Sequence, residues 1–200
     1  MNKGVAQFGV TLLKKDIFIF MACNTVTLSS IDARCDGSVG GIKRILLANV
    51  DDVKSVVIDE TTQKIKQITL ETGKKFEQWR FRKNTGSYSS SIERDLAIGT
   101  ETVTTEVNLQ FSRAEAQKRL DIQSAINASC VVIVEDQYGE FLYLGLENEV
   151  TITAASMTSG TSTSDLSGFT LTFTDLATEL PHFIDKEQVD VDGLLVAASV

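Results

Sequence analysis

Two hundred residues suffice for one domain, or for one domain with extended arms, and a chain of this size can bury about 70% of its unfolded surface without covalent staples. A net charge of −8 and a pI near 4.7 exclude a strong nucleic-acid grip, which needs clustered Lys and Arg, though not a surface that nucleic acid slides past. Cys23, Cys35 and Cys130 are odd in number and lack Cys-x-x-Cys spacing. They read as reduced thiols in a cytoplasmically made protein rather than as a disulfide framework or a zinc site.

Residues 1–30 read as an extended arm. Its apolar run Ile17-Phe18-Ile19-Phe20-Met21-Ala22 is too short for a membrane span and lacks the cleavage pattern of a signal peptide, so it reads as a strand or ordered arm. Asp36-Gly37-Ser38-Val39-Gly40-Gly41 is a turn cluster leading into a short strand, Ile42–Ala48, and a turn at Asn49–Asp52. Val53–Ile58 and Ile65–Leu70 follow as strands about a polar turn. Glu71-Thr72-Gly73-Lys74 is a hairpin turn, and Phe76–Phe81 is a further strand. In that last strand alternation sends Trp79 and Phe81 to the core and Arg80 and Arg82 outward. Lys83–Asp95 is polar and Ser-rich, with Tyr88 and Ile92 as anchors, and reads as a surface loop.

From Ala97 onward the pattern is clearer. Val103, Thr105, Val107, Leu109 and Phe111 share one side of an extended chain, and Thr104, Glu106, Asn108 and Gln110 share the other. A strand from Ala97 to Phe111 would reach roughly 45 Å, against a usual length of about 5–6 residues. Such a strand overhangs a small domain and needs a neighbour, which points to assembly rather than catalysis.

Ser112-Arg113-Ala114-Glu115 has capping-box spacing and predicts a helix ending near Asn127–Ser129. The pairs Ala116/Leu120 and Ile122/Ile126 predict a broad buried stripe. Val131–Val134 reads as a strand buried on both faces, Asp136–Gly139 as a turn, Glu140–Leu146 as the hairpin partner, and Val150–Ala154 as another strand. Ser156–Ser167 is a polar loop. Gly168–Thr174 alternates cleanly, with Phe169, Leu171 and Phe173 inward and three threonines outward. The tail after Pro181 is acidic and then apolar, an arm that can dock on a neighbour. The expected organisation is an arm over 1–30, a β domain over 31–184 and a C-terminal arm over 185–200. The expected fold is mainly β, an antiparallel sandwich or rolled barrel with one flanking helix.

Chemistry finds little purchase. The single histidine, His182, has no partner at triad-like spacing, so catalysis by Cys–His or zinc loses support. Gly37–Arg44 lacks the Gly-Lys-Ser/Thr helix opening of a phosphate loop, and Asp51-Asp52 and Asp190-Val191-Asp192-Gly193 lack the spacing of a calcium loop. The expectation is no enzyme, no metal and no cofactor. Trp79-Arg80-Phe81-Arg82-Lys83 is basic and aromatic; its arginines can pair with an acidic neighbour or touch passing DNA.

Four stretches in order carry a resemblance: Cys35–Asn49, the run Phe111–Arg119 entering the helix, Val131–Asp136 followed by Tyr138–Gly145, and Ser159–Thr174. Over roughly Cys35 to Ile184 the chain resembles tail-tube-type structural proteins of bacteriophages, especially a family from phages and prophages of Bacteroides-like hosts. It departs from the family where Asp175-Leu176 replaces a customary glycine, in its long N-terminal arm, and in the Ser-rich Ser87–Asp95.

The resemblance implies a β-sandwich or rolled barrel whose inner strands join across subunits, usually in hexameric rings. It implies a virion protein of the phage tail, assembled in the host bacterial cytoplasm. Its partners would be copies of itself, other tail proteins and DNA in transit during ejection, with no membrane. Thr104, Glu106, Asn108, Gln110, Arg80 and Arg82 are the expected interface or lumen positions. The departures allow a ring, adaptor, hub or baseplate part instead of the tube unit. A carbohydrate-binding surface β-sandwich is the alternative of a different class; it would predict exposed aromatics on loops, and these loops carry few.

Overall fold

The structure, a computed structural model, describes residues 31, 39–162 and 164–195. The predicted N-terminal arm with its apolar run, Cys23, Cys35 and the first half of the turn cluster Asp36–Gly41 lie outside the described residues. So do the last five residues of the predicted C-terminal arm.

The described chain is mainly β, with antiparallel sheets and one α-helix. The strands are β1 (Ile42–Asn49), β2 (Val53–Ile58), β3 (Ile65–Leu70), β4 (Glu77–Trp79), β5 (Gly86–Asp95), β6 (Thr100–Ser112), β7 (Cys130–Asp136), β8 (Phe141–Leu144), β9 (Thr151–Thr158), β10 (Gly168–Ala177) and β11 (His182–Phe183). The helix, α1, is Ala116–Ile126.

They form three layers. A five-stranded central sheet has the order β11-β8-β7-β1-β4, a four-stranded sheet the order β5-β6-β10-β9, and β2 and β3 make a hairpin. The central sheet carries apolar residues on both faces. Ile45, Leu47, Val132, Val134, Leu142 and Leu144 meet Val107, Leu109, Phe169, Leu171 and Phe173 of the four-stranded sheet. On the opposite face Leu46, Ala48, Val131, Ile133 and Tyr143 meet Ile65 and Ile68 of the hairpin, together with Phe76, Ile184, Val189 and Val191. Residues Cys130–Glu135 of β7 are all buried, as a continuous apolar run predicts. Burial holds the Cys130 thiol above its usual pKa, as the neutral thiol.

A β-bulge at Lys43 sets the chemistry of the second face. The β1–β7 register slips between Ile42 and Arg44, so two residues oppose one. Lys43 and Arg44 therefore both reach the buried Glu135, and Arg44 also donates to Asp192 at 2.7 Å. The acidic tail is tied down through that link. Asp185 donates its N–H to the Ile65 carbonyl at 2.8 Å, and Val189 and Val191 are buried. Residues 185–195 thus belong to the body of the domain and not to a separate arm, because their apolar side chains close its second core.

Four further expectations are corrected. Lys83–Asp95 is not a loop: Gly86–Asp95 is strand β5, paired with β6 along its whole length. The helix is not capped by Ser112. That residue is the last of β6, held extended opposite Gly168, and the helix N-cap is Glu115, which makes no side-chain cap bond. Nor is the helix stripe broad, since Ile122 is its one buried residue while Leu120 and Ile126 are exposed. β4 is also shorter than the strand predicted over Phe76–Phe81, although Trp79 and Phe81 do pack on the first core and Arg80 and Arg82 are exposed.

Gly168 is required by close approach. A Cβ there would stand 1.9 Å from the Phe111 carbonyl oxygen. Gly168→Ala is expected to lower unfolding free energy by about 3 kcal/mol or more, read from urea melts, with the β6–β10 ladder losing amide-exchange protection first.

Candidate assembly surface

The four-stranded sheet is built around β6, the longest strand at 13 residues. Its β-branched and polar alternation buries Val103, Thr105, Val107 and Leu109 and turns Thr104, Glu106, Asn108 and Gln110 to the opposite face. β10 repeats the pattern in register: Thr170, Thr172 and Thr174 lie opposite Gln110, Asn108 and Glu106. β5 adds Ser87, Ser89, Ser91 and Glu93 beside Asn108, Glu106, Thr104 and Thr102. Side-chain bonds knit the face across strands. Thr172 donates to the Asn108 side-chain oxygen at 2.7 Å, and the Thr153 and Thr174 hydroxyls meet at 2.8 Å.

The charged side chains that these strands turn to that face are Glu93, Asp95 and Glu106; the rest are hydroxyls and amides apart from Ala154 and Leu176, and no Lys or Arg is among them, Arg94 of β5 lying on the side of Tyr88 and Ile92. The surface is therefore hydrated and mildly anionic, and it offers no counter-charge to a phosphate backbone.

The edges of this sheet are its second feature. β5 and β9 are paired on one side only, and no described strand takes the other. Both are long, at 10 and 8 residues. β9 (Thr-Ile-Thr-Ala-Ala-Ser-Met-Thr) has no charge and no proline to keep it from pairing with another chain, and its one irregularity is a bulge at Thr153. The inner face of the sheet also runs past the layer that covers it. Tyr88 and Ile92 stand opposite Val107 and Val103, and Met157 opposite Phe169, on the core-facing side. Yet they are 37%, 52% and 65% exposed. Beyond them the turn after β5 exposes Leu96 and Ile98.

The structure groups four of the six predicted site residues, Thr104, Glu106, Asn108 and Gln110, on this one face. Arg80 and Arg82 are elsewhere, just after β4 at the far edge of the central sheet. Sequence reasoning missed β5, and with it half of the edge surface. The signal that was present is the even spacing of Tyr88 and Ile92.

The other candidate centres are accounted for structurally. His182 Nδ1 lies 2.8 Å from the Gln63 carbonyl oxygen and Nε2 lies 3.7 Å from Glu179. Asp52 pairs with Lys74 at 2.9 Å, and Asp190 accepts the Gly193 N–H at 3.1 Å. Ile42–Asn49 is strand, so no helix opens after Lys43. In the loop before β10, Asp165 accepts the Thr161 and Ser162 N–H groups, which hold its pKa down at about 2. No group of three or more His, Cys, Asp or Glu suited to a metal occurs among the described residues, and none of their helices is long and apolar enough to cross a membrane.

One buried acid lies at the end of the inter-sheet space. Asp175, on the core-facing side of β10 opposite Thr105, accepts the Gly145 N–H at 3.4 Å through Oδ2, while Oδ1 has no partner among the described residues. Burial, then the nearby Glu147, raises its pKa against the lowering by Gly145. A carboxyl whose pKa is higher folded than unfolded binds more protons in the folded state. Its contribution therefore favours folding below the unfolded carboxyl pKa and is lost as pH rises through the folded one. Asp175→Asn is expected to raise Tm near about pH 7 and to leave it unchanged near about pH 3; thermal melts of the two proteins across that range check it.

Comparisons with protein-family models, with curated proteins and with solved structures return no match for this chain.

Proposed function

We propose that this protein is a ring-forming structural component of a bacteriophage tail, its four-stranded sheets joined edge to edge around a pore through which DNA passes. The observation that carries the reading is the sheet with two long unpaired edges whose core-facing residues Tyr88, Ile92 and Met157 lie uncovered. The resemblance of the sequence to tail-tube-type proteins supports it, and an adaptor, hub or baseplate ring is the same chemistry at another level of the tail.

β5 and β9 lie on opposite sides of one sheet. If β5 of one copy pairs with β9 of the next, each copy uses two different surfaces, a head-to-tail contact that closes into a ring when the rotation per copy divides a full turn. The four strands alternate in direction, so β5 and a neighbour's β9 meet antiparallel and the alternation continues through the joint. Tyr88 and Ile92 then come against Ala155 and Met157 of the neighbour, and apolar surface left open in one copy is covered in the ring. With the other two layers outside, the hydroxyl and carboxylate face lines the pore. It repels phosphate weakly and gives DNA nothing to hold.

Ile92→Lys combined with Met157→Lys tests the edges, since both side chains are already exposed and the monomer should fold. Light scattering and negative-stain electron microscopy of concentrated wild-type protein are expected to show rings, six-membered on the family resemblance, and the double variant monomers of unchanged circular dichroism. Wild-type protein that stays monomeric at high concentration, or lysine variants that still form rings, would contradict the proposal.

A further inference from the structure

The tail that closes the second core crosses the central sheet from one edge strand to the other. It leaves β11 beside β8, bridges Ile184 to Ile65 in parallel, and is latched to Arg44 by Asp192. It then reaches the start of β4, where Leu195 bridges Phe76 in parallel and Phe76 donates its N–H to the Leu194 carbonyl at 2.9 Å. The outer side of this edge has therefore begun to pair with the chain's own tail.

Among the described residues that pairing stops after one bridge. β4 runs on through Glu77, Gln78 and Trp79, in register with Leu47, Leu46 and Ile45 of β1. Backbone groups two residues apart on a strand point the same way. The N–H and C=O of Gln78 thus face outward like those of Phe76, while those of Glu77 and Trp79 face β1. The side-chain Nε2 of Gln78 is shielded from solvent and has no hydrogen-bond partner among the described residues. Buried donors are paired as a rule, so this one calls for an acceptor beside β4.

The same edge borders a groove of about 1000 Å³, with β4 and the end of β1 along one wall and Ala125 and Ala128 along the other. Its charges are mixed, Asp52, Glu77 and Asp121 against Lys74 and Lys75, and Asp52 is paired with Lys74 at 2.9 Å. A groove of mixed sign suits an uncharged occupant, which brings no charge to be desolvated there. The five residues after Leu195 read Val196-Ala197-Ala198-Ser199-Val200, with no charge, no proline and nothing larger than valine.

We infer that residues 196–200 continue the Leu195–Phe76 bridge as a parallel edge strand on β4, so that the chain closes its own central sheet and withholds that edge from other chains. The bridge sets the register. In a parallel ladder a residue bonds to the two residues flanking its partner. Val196 then donates to the Phe76 carbonyl, Gln78 to the Val196 carbonyl and Ala198 to the Gln78 carbonyl. Val196 and Ala198 turn into the groove beside Trp79, and Ala197 follows Leu195 on the side of Phe76. Five residues span roughly 17 Å, enough to cover β4 to its end. The inference concerns a different sheet from β5 and β9 and holds with or without the ring.

Amide exchange of the intact chain and of three variants tests it: a chain ending at Leu195, Ala198→Pro and Ala197→Pro. In the inferred register Ala198 gives its N–H to β4 and Ala197 turns its N–H outward, so proline is disruptive at 198 and tolerated at 197. The Gln78 N–H is expected to exchange at least about tenfold more slowly in the intact chain than in the truncated one. Ala198→Pro should speed it toward the truncated value, and Ala197→Pro should leave it unchanged. The Glu77 and Trp79 amides, bonded to β1, should stay the same throughout and, with circular dichroism, show that each variant is folded. Truncation in the Ile92→Lys, Met157→Lys background, where the other sheet's edges are blocked, is expected to cause association with rising concentration in light scattering. Equal Gln78 exchange in the intact and truncated chains, or equal effects of proline at 197 and 198, would overturn the inference. So would a truncated lysine variant that stays monomeric, since the tail would then withhold nothing. Should the lysine variants form rings untruncated, the ring proposal fails and the Gln78 amide still decides this one.

Discussion

β7 has no solvent side. Val132 and Val134 lean on the four-stranded sheet while Val131, Ile133 and Glu135 lean on the hairpin and the tail, and all are buried. A strand in that position must be covered on both faces, and the rest of the architecture follows from that need. The four-stranded sheet supplies one cover. The β2–β3 hairpin, Phe76 and the Val189–Val191 segment supply the other. The single carboxylate within the run, Glu135, is tolerable only because the bulge at Lys43 brings two cations to it. The same arginine reaches Asp192, so the buried charge and the docking of the tail are one arrangement.

The two covers differ in extent. The hairpin side is closed, but the four-stranded sheet is wider than the surface beneath it. Its middle strands β6 and β10 are buried on their inner side, whereas β5 and β9 carry Tyr88, Ile92 and Met157 past the end of the core. A monomer that keeps such edges exposed risks open-ended association, and a ring resolves that risk by using both edges at once. In the proposed ring, the absence of basic residues from the strands' outward face would leave a pore wall that does not bind a passing polyanion.

Much of the fold was legible in the sequence, and the exceptions have physical causes. The long alternating strand and the doubly buried Val131–Val134 were plain because one or both of their faces meet the core and the burial writes itself as period two or as an apolar run. β5 was not, because an edge strand outside the core need not be apolar: Ser87, Ser89, Ser90 and Ser91 resemble a loop until β6 is seen beside them. The capping box failed for a related reason, as Ser112 is claimed by the β6–β10 ladder and cannot also turn the chain into a helix. The four outward residues of β6 were named correctly as sharing a face, since parity alone decides that. Arg80 and Arg82 lie beside the other sheet, just after β4, and that placement was not legible because parity says nothing about which sheet a strand joins.

The most direct measurement is amide hydrogen exchange of the intact protein at low and at high concentration, resolved to individual strands. Edge-to-edge assembly predicts that β5 and β9 gain protection together as concentration rises, while β6, β7 and β10 stay as they were. Fast exchange in β5 and β9 at every concentration would contradict it, because those backbone groups would then have no partner but water.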